Sequence, residues 1–296
     1  MKNLSKTSVL LSLILSFAFA IQAQTAVTKP SDSSVQELKL SSKLTAREMP
    51  YRVILPTNYE KAKENRYAVI FLLHGLTGHF NNWTDKTKLA EYAEDFDFII
   101  VTPEGDNGWY SDSLSIANDK YESYIIQELV PEIDKKFRTI ADRQHRAIAG
   151  LSMGGYGSLK FGLKYPDKFV LVGSFSGALG AASFTEKTTG NIGKAIDAIF
   201  GDAESENRKS NDIFKIVKEI SPEKMKSLPF IYLDCGTEDF LFQNNRDFVA
   251  LLLEKKIPHE FRQLPGKHDW TFWNSQVKEF IELSEKHFLA AKAKVK

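Results

Sequence analysis

The sequence predicts an α/β protein built on a mostly parallel central sheet flanked by helices. Two observations carry this expectation: short β-branched runs that are apolar on both faces, and longer helix-spaced stretches that alternate with them. The strand-like runs are Tyr51–Leu55, Ala68–Leu73, Phe98–Val101, Arg146–Ala149, Phe169–Gly173, Phe230–Leu233 and His259–Leu264. Between them, Tyr121, Tyr124, Ile125, Leu129, Ile133 and Phe137 recur at helical spacing, and Pro131 is expected to kink or divide that helix. Residues 242–256 and 270–290 read as further helices. The polar, helix-like segment at about 178–228 is expected to be a helical insertion over the carboxyl edge of the sheet, where ligands of open α/β sheets bind. Plain helical packing without substrate contact is its alternative reading.

The chain has 296 residues, 43% hydrophobic and 26% charged, the proportions of a globular protein rather than a disordered one. Its 39 basic and 38 acidic residues give a net charge of +1, so no electrostatic bias favours nucleic acid or an anionic membrane. Lys2 and Lys6, the apolar run Val9–Ile21 and the small residue Ala23 predict a secretory signal peptide over 1–23, cleaved after Ala23. A retained anchor is the alternative, but the run is short for a bilayer span and no later stretch approaches one. Cleavage removes two lysines and no acids, leaving 37 minus 38, or −1. Residues 24–34 read as a flexible lead-in, and 35–296 as one catalytic domain. Cys235 is the only cysteine, which excludes an internal disulfide and a lipobox acylation site. These features predict a secreted or periplasmic protein.

The strongest local signal is Gly150-Leu151-Ser152-Met153-Gly154, a G-x-S-x-G between the strand-like HRAIA and the helix-like YGSLKFGLKY. A strand, a sharp turn and a helix are what a nucleophile elbow requires. A serine hydroxyl needs a base, and the base needs an orienting acid. After FIYLDCG comes Thr237-Glu238-Asp239, which offers Asp239 or Glu238 in a turn at a strand's end; after HEFRQL comes Pro265-Gly266-Lys267-His268. Serine, acid and histidine thus follow in the order the elbow motif requires. Individually, His268 could be a surface histidine, Asp239 a helix N-cap and Asp234 a buried structural acid; together with the elbow they favour a triad. An oxyanion hole would draw one backbone N–H from Met153 and one from Leu76, in the glycine-bearing loop after Phe71-Leu72-Leu73. His74 and His79 could suggest a metal pair, but no third ligand has convincing spacing, so no metal is expected.

With these residues in view, the sequence resembles the esterase D-like branch of the α/β-hydrolases, which includes S-formylglutathione hydrolases, tributyrin esterases, family 1 carbohydrate esterases (feruloyl and acetylxylan) and mycolyltransferases. The matching stretches are LLHGLTGHFNNW at 72–83, GLSMGGYGSLKFGLKYPDKF at 150–169, CGTEDFL at 235–241 and GKHDWTFW at 266–273, and the resemblance spans about 45–285. It implies an α/β-hydrolase fold, no cofactor, Ser152 as nucleophile, Asp239 rather than Glu238 as the acid, His268 as base, and the Leu76 and Met153 amides as oxyanion donors. The loop Asp106–Asp112 resembles a segment that borders the active site in secreted members. Trp109, Tyr110 and Trp270, with Phe240 and Trp273, are therefore candidates for an aromatic wall around an acyl or sugar group; a core role is the alternative. The expectation is an exported serine carboxylesterase acting on a short-chain or carbohydrate-linked (acetyl or feruloyl) ester through an acyl-enzyme. Three alternatives remain: an exported acyltransferase with the same triad, an S-formylglutathione hydrolase-like thioesterase, which an export signal disfavours, and a catalytically silent binding protein.

Overall fold

The computed structural model describes residues 35–294; the predicted signal peptide and the lead-in lie outside the described residues. Eight strands form one sheet: β1 (Val35–Ser42), β2 (Arg47–Ile54), β3 (Ala68–Leu73), β4 (Phe98–Pro103), β5 (Arg146–Leu151), β6 (Leu171–Phe175), β7 (Phe230–Gly236) and β8 (His259–Leu264). Their spatial order is β1-β2-β4-β3-β5-β6-β7-β8. β1 pairs antiparallel with β2, and β2 antiparallel with β4; every pairing from β4 to β8 is parallel. Each strand-like run of the sequence lies in or overlaps one of these strands. β1 was not anticipated: VQELKLSS carries charges between its apolar residues, and it pairs on one side only, at the sheet edge.

β3, β4 and β5 are buried at every residue, which is why they read as continuous apolar runs. Alternate residues feed two cores. Val69, Phe71 and Leu73 face one, while Ala68, Ile70 and Leu72 face the other.

The helices are α1 (Asn82–Lys86), α2 (Leu89–Ala93), α3 (Tyr121–Ser123), α4 (Val130–Lys136), α5 (Met153–Lys164), α6 (Glu186–Thr189), α7 (Asn191–Phe200), α8 (Glu206–Asn211), α9 (Ile213–Lys218), α10 (Pro222–Ser227), α11 (Phe242–Glu254) and α12 (Trp270–Lys294). Between α3 and α4 the chain forms a π-helical stretch, Tyr124–Leu129, closed by the Val130 N–H bonding the Ile125 carbonyl five residues back. Pro131 then lies in the first turn of α4, where its missing N–H is tolerated. The expected division at Pro131 is thus a π-turn running directly into a new α-helix.

The 178–228 segment is helical as expected, supplying α6 to α10. It packs on α5 and α11 and also on the loop after β4, where the Ile199 carbonyl accepts the Leu114 N–H at 2.8 Å. Asn211 accepts the Tyr156 hydroxyl of α5 at 2.7 Å, and the Phe214 and Phe248 rings meet at 5.0 Å against α11. Chain winding reverses at β3, because β4 lies on one side of it and β5 on the other. A reversal of this kind opens a crevice at the strands' carboxyl ends, and the loops after β3, β4 and β5 meet there.

Candidate active site

Ser152 lies between β5 and α5, capping the helix, in a backbone conformation of φ 54° and ψ −114°, which L-residues adopt only under constraint. The constraint is visible in its bonds: Ser152 N–H donates to the Phe175 carbonyl at 2.9 Å, and its carbonyl accepts from Ala178 N–H at 3.0 Å. The flanking glycines are needed for space. A Cβ on Gly150 would lie 2.5 Å from the Gly154 carbonyl carbon, and one on Gly154 would lie 2.6 Å from the carbonyl oxygens of Leu73 and His74. The first turn of α5 therefore packs backbone to backbone against the end of β3.

Two later loops bring the acid and the histidine to the serine. His268 Nε2 lies 3.1 Å from Ser152 Oγ, and His268 Nδ1 lies 2.8 Å from Asp239 Oδ2. The Asp239 carboxylate is fully buried, and its Oδ1 accepts the Leu241 N–H at 2.8 Å. Burial alone would raise its pKa, but the His268 and Leu241 hydrogen bonds outweigh burial and hold the carboxyl below its usual range. The other acids weighed from the sequence stand elsewhere. Glu238 faces solvent toward Lys267, and Asp234 is buried at 0% exposure with no hydrogen bond to its carboxyl oxygens among the described residues. Burial pushes the Asp234 pKa well above the usual carboxylate range.

Met153, as the first residue of α5, has an N–H with no intrahelical partner. The loop carrying Leu76 runs directly beside the serine, since a Cβ on Gly75 would lie 3.4 Å from Ser152 Cβ. Asn107 Oδ1 accepts the Thr77 N–H at 2.7 Å and ties this loop to the one after β4.

The cleft over Ser152 has a volume of about 290 Å³. Leu76, Thr77, Asn82, Lys86, Trp270 and Trp273 form much of its wall, and no residue of the 178–228 insertion lines it. The expected aromatic wall divides in two. Trp270 and Trp273 line the cleft, with the Trp273 ring 4.9 Å from that of His268, and Phe240 is 78% exposed with its ring 4.7 Å from His268. Trp109 and Tyr110 correct the expectation of substrate contact: at 2% and 0% exposed they belong to the core. Trp109 packs on Tyr156 and Phe184, and Tyr110 donates its hydroxyl to the His74 carbonyl at 3.1 Å.

The fold also gathers His79, Glu104 and Asp106, whose potential ligand atoms lie within 4.8 Å of one another; sequence spacing gave His79 no such partners. Three of the four carboxylate oxygens are already engaged. Asp106 meets Arg47 and accepts the Tyr121 hydroxyl, while Glu104 accepts backbone amides and meets His74. A set of this kind, with a guanidinium inside it, fits a hydrogen-bonded scaffold better than a cation site. Sequence reading passed over Glu104, and with it Arg47 and the cleft residue Lys86. A lone acid after a strand carries no local signal of its partners.

Comparison with known proteins decides the family. The profile of the family described as "Putative esterase" matches residues 42–281. The chain belongs to this esterase family. An acetyl esterase of Caldicellulosiruptor saccharolyticus is 28% identical over 268 residues, covering 86% of this chain and 98% of that protein. Among solved structures, a ferulic acid esterase superposes with a TM-score of 0.74 at 29% identity, covering 86% of this chain and 98% of the other. The fluorophosphonate-binding serine hydrolase F of Staphylococcus aureus gives 0.76 at 27% identity, covering 84% and 97%. The sheet is accordingly that of an α/β-hydrolase, and this esterase is a serine hydrolase of carboxylic esters. The binding-only alternative required Ser152 beyond hydrogen-bond reach of His268, and the 3.1 Å contact removes that support. No helix among the described residues is long and apolar enough to cross a membrane.

Proposed function

We propose that the protein is an exported serine carboxylesterase that removes short acyl or feruloyl groups from carbohydrate through an acyl-enzyme. The observation that carries the reading is the unbroken relay from Ser152 Oγ to His268 to the buried Asp239, at 3.1 and 2.8 Å. Asp239 accepts the Nδ1–H and leaves Nε2 free to take the serine proton as Oγ attacks the ester carbonyl. The oxyanion that develops is met by the Leu76 and Met153 amides, and the alcohol leaves with the proton held on Nε2. Water then enters through the open cleft, gives a proton to the same nitrogen and releases the acid.

The choice of substrate draws on the named relatives, an acetyl esterase and a ferulic acid esterase, and on a wall that combines polar groups with indole faces. Sugars present the same mixture of hydroxyls and apolar faces. Export draws on the signal-like residues 1–23.

Hydrolysis of p-nitrophenyl esters from acetate to octanoate, of methyl ferulate and of an acetylated xylo-oligosaccharide, by wild type and Ser152→Ala, tests the reading. Activity on acetate, ferulate and the sugar ester, falling with acyl length and lost in the variant, supports it. A preference for octanoate, or no turnover of the sugar ester, contradicts the substrate assignment.

A further inference from the structure

The loop after β3 holds a second carboxylate–imidazole pair. Its target is a peptide plane. His74 Nδ1 lies 2.8 Å from the Gly75 carbonyl oxygen, a contact that only a ring N–H can make a hydrogen bond, and the Gly78 N–H donates to that same oxygen at 3.0 Å. The Gly75 carbonyl and the Leu76 N–H belong to one planar trans peptide and point in opposite directions. Anchoring the oxygen therefore fixes the direction of the Leu76 N–H.

The imidazole is itself held. His74 is 1% exposed, and its Nε2 donates to Glu104 Oε1 at 3.1 Å, so the ring carries a proton on both nitrogens as the cation of a buried ion pair. Glu104, 4% exposed, accepts through Oε1 from the Gly105 and Asp106 amides at 3.1 and 2.8 Å. Through Oε2 it accepts from the Phe80 amide and meets His79 Nδ1, each at 3.3 Å. One buried carboxylate thus clamps the loop after β3 to the loop after β4. Burial works against its charge, but the bonds from His74 and Phe80 keep the carboxyl below its usual range.

We infer that Glu104 and His74 are positioning residues for the oxyanion hole: Glu104 fixes the His74 ring, and His74 fixes the peptide plane that presents the Leu76 N–H. The inference rests on the acyl-transfer reading above. An N–H aimed at the oxyanion position acts mainly in the transition state, so its misalignment lowers kcat more than it raises KM.

Three variants test the relay, with Ser152→Ala as control and p-nitrophenyl acetate as substrate. Glu104→Gln keeps the shape and sets an NH2 group against amide donors. His74→Asn places a side-chain N–H where Nδ1 stood, and His74→Ala removes it. The expected result for Glu104→Gln and His74→Ala is a loss of kcat on the order of 10- to 100-fold with KM within about threefold. Affinity for a trifluoromethyl ketone, whose tetrahedral adduct carries an oxyanion in the same hole, should fall by the same factor. His74→Asn should recover most of the His74→Ala loss. Unchanged kcat and ketone affinity, with only a lower melting temperature, would overturn the inference, as would a His74→Asn as slow as His74→Ala. Should Glu104→Gln fail to fold, the two His74 variants decide alone. A Ser152→Ala protein that hydrolyses at the wild-type rate defeats the acyl-transfer reading and the inference with it. An inactive Ser152→Ala beside unimpaired Glu104 and His74 variants defeats the inference only.

Discussion

At the residue scale, catalysis depends on single atoms of Ser152, His268 and Asp239. Asp239→Asn keeps the shape of the acid but presents an amide to His268, so the ring no longer has its Nδ1–H stabilised and Nε2 free. The expected loss is on the order of 10⁴-fold in kcat with a folded protein, measured as steady-state rates alongside a melting curve. Gly154→Ala would push a methyl group to 2.6 Å from two carbonyl oxygens. It should lower stability by about 1–3 kcal/mol by denaturant titration and displace the serine with it. Ser152 and His268 were legible because the elbow and the order of the loops leave a linear imprint. Asp239 was not separable from Glu238 by spacing, since both occupy the same turn; only the resemblance chose between them, and the fold brings Asp239 to the ring. Trp109 and Tyr110 were misplaced for a physical reason: an aromatic side chain beside a site looks the same in sequence whether its ring faces the ligand or, like Tyr110, braces the loop from beneath.

At the element scale, α5 is tied to the loop after β4 by a buried charge cluster. Lys160, fully buried, bonds Glu122 Oε2 at 2.8 Å and the Tyr110 carbonyl at 2.7 Å, and Glu122 Oε1 also meets Lys164 at 2.6 Å. Burial would raise the Glu122 pKa, but the two lysine charges prevail and bring it from 4.5 down to about 2. An acid depressed in the folded state contributes stability that is complete above its unfolded pKa and lost as pH falls toward the folded value. Melting temperature should therefore drop between about pH 4.5 and pH 2 in the wild type. Glu122→Gln should lose part of that dependence, and at pH 7 it should be destabilised by about 3–5 kcal/mol because Lys160 is left buried and unpaired. Calorimetry of both proteins across that range is the check. The helix carrying the elbow was legible from its sequence, whereas the lysine inside it was not, because its partner Glu122 lies on a different element. β1 escaped notice for a related reason: its alternation is half polar, and its pairing with β2 is a tertiary fact.

At the scale of the whole molecule, the reversal of winding at β3 explains why the Leu76 loop, the Glu104 clamp and Ser152 share one crevice. They end three neighbouring strands. The alternation of strand and helix patterns made that architecture legible from sequence, but not the packing of the insertion, which depends on contacts with α5, α11 and the loop after β4. Arg208 holds the insertion together, donating to the Ala182, Phe184 and Gly201 carbonyls at 2.9–3.0 Å while pairing with Asp197. Because the insertion lines none of the cleft, Arg208→Ala should cost about 3 kcal/mol of stability. It should leave kcat/KM for p-nitrophenyl acetate at 25 °C within about threefold. A large loss of activity in a stably folded Arg208 variant would place the insertion in substrate binding after all.

Ser152 carries the acyl group between the two half-reactions in the proposed mechanism. The direct measurement is the intact mass of the protein, acid-quenched within the first turnover of p-nitrophenyl acetate, followed by peptide mapping. The expected result is a species heavier by one acetyl group, mapped to Ser152 and missing from Ser152→Ala, whose hydrolysis falls to the background rate. A Ser152→Ala protein that still turns over the ester, or an acetyl group mapped to another residue on the path of turnover, would contradict it.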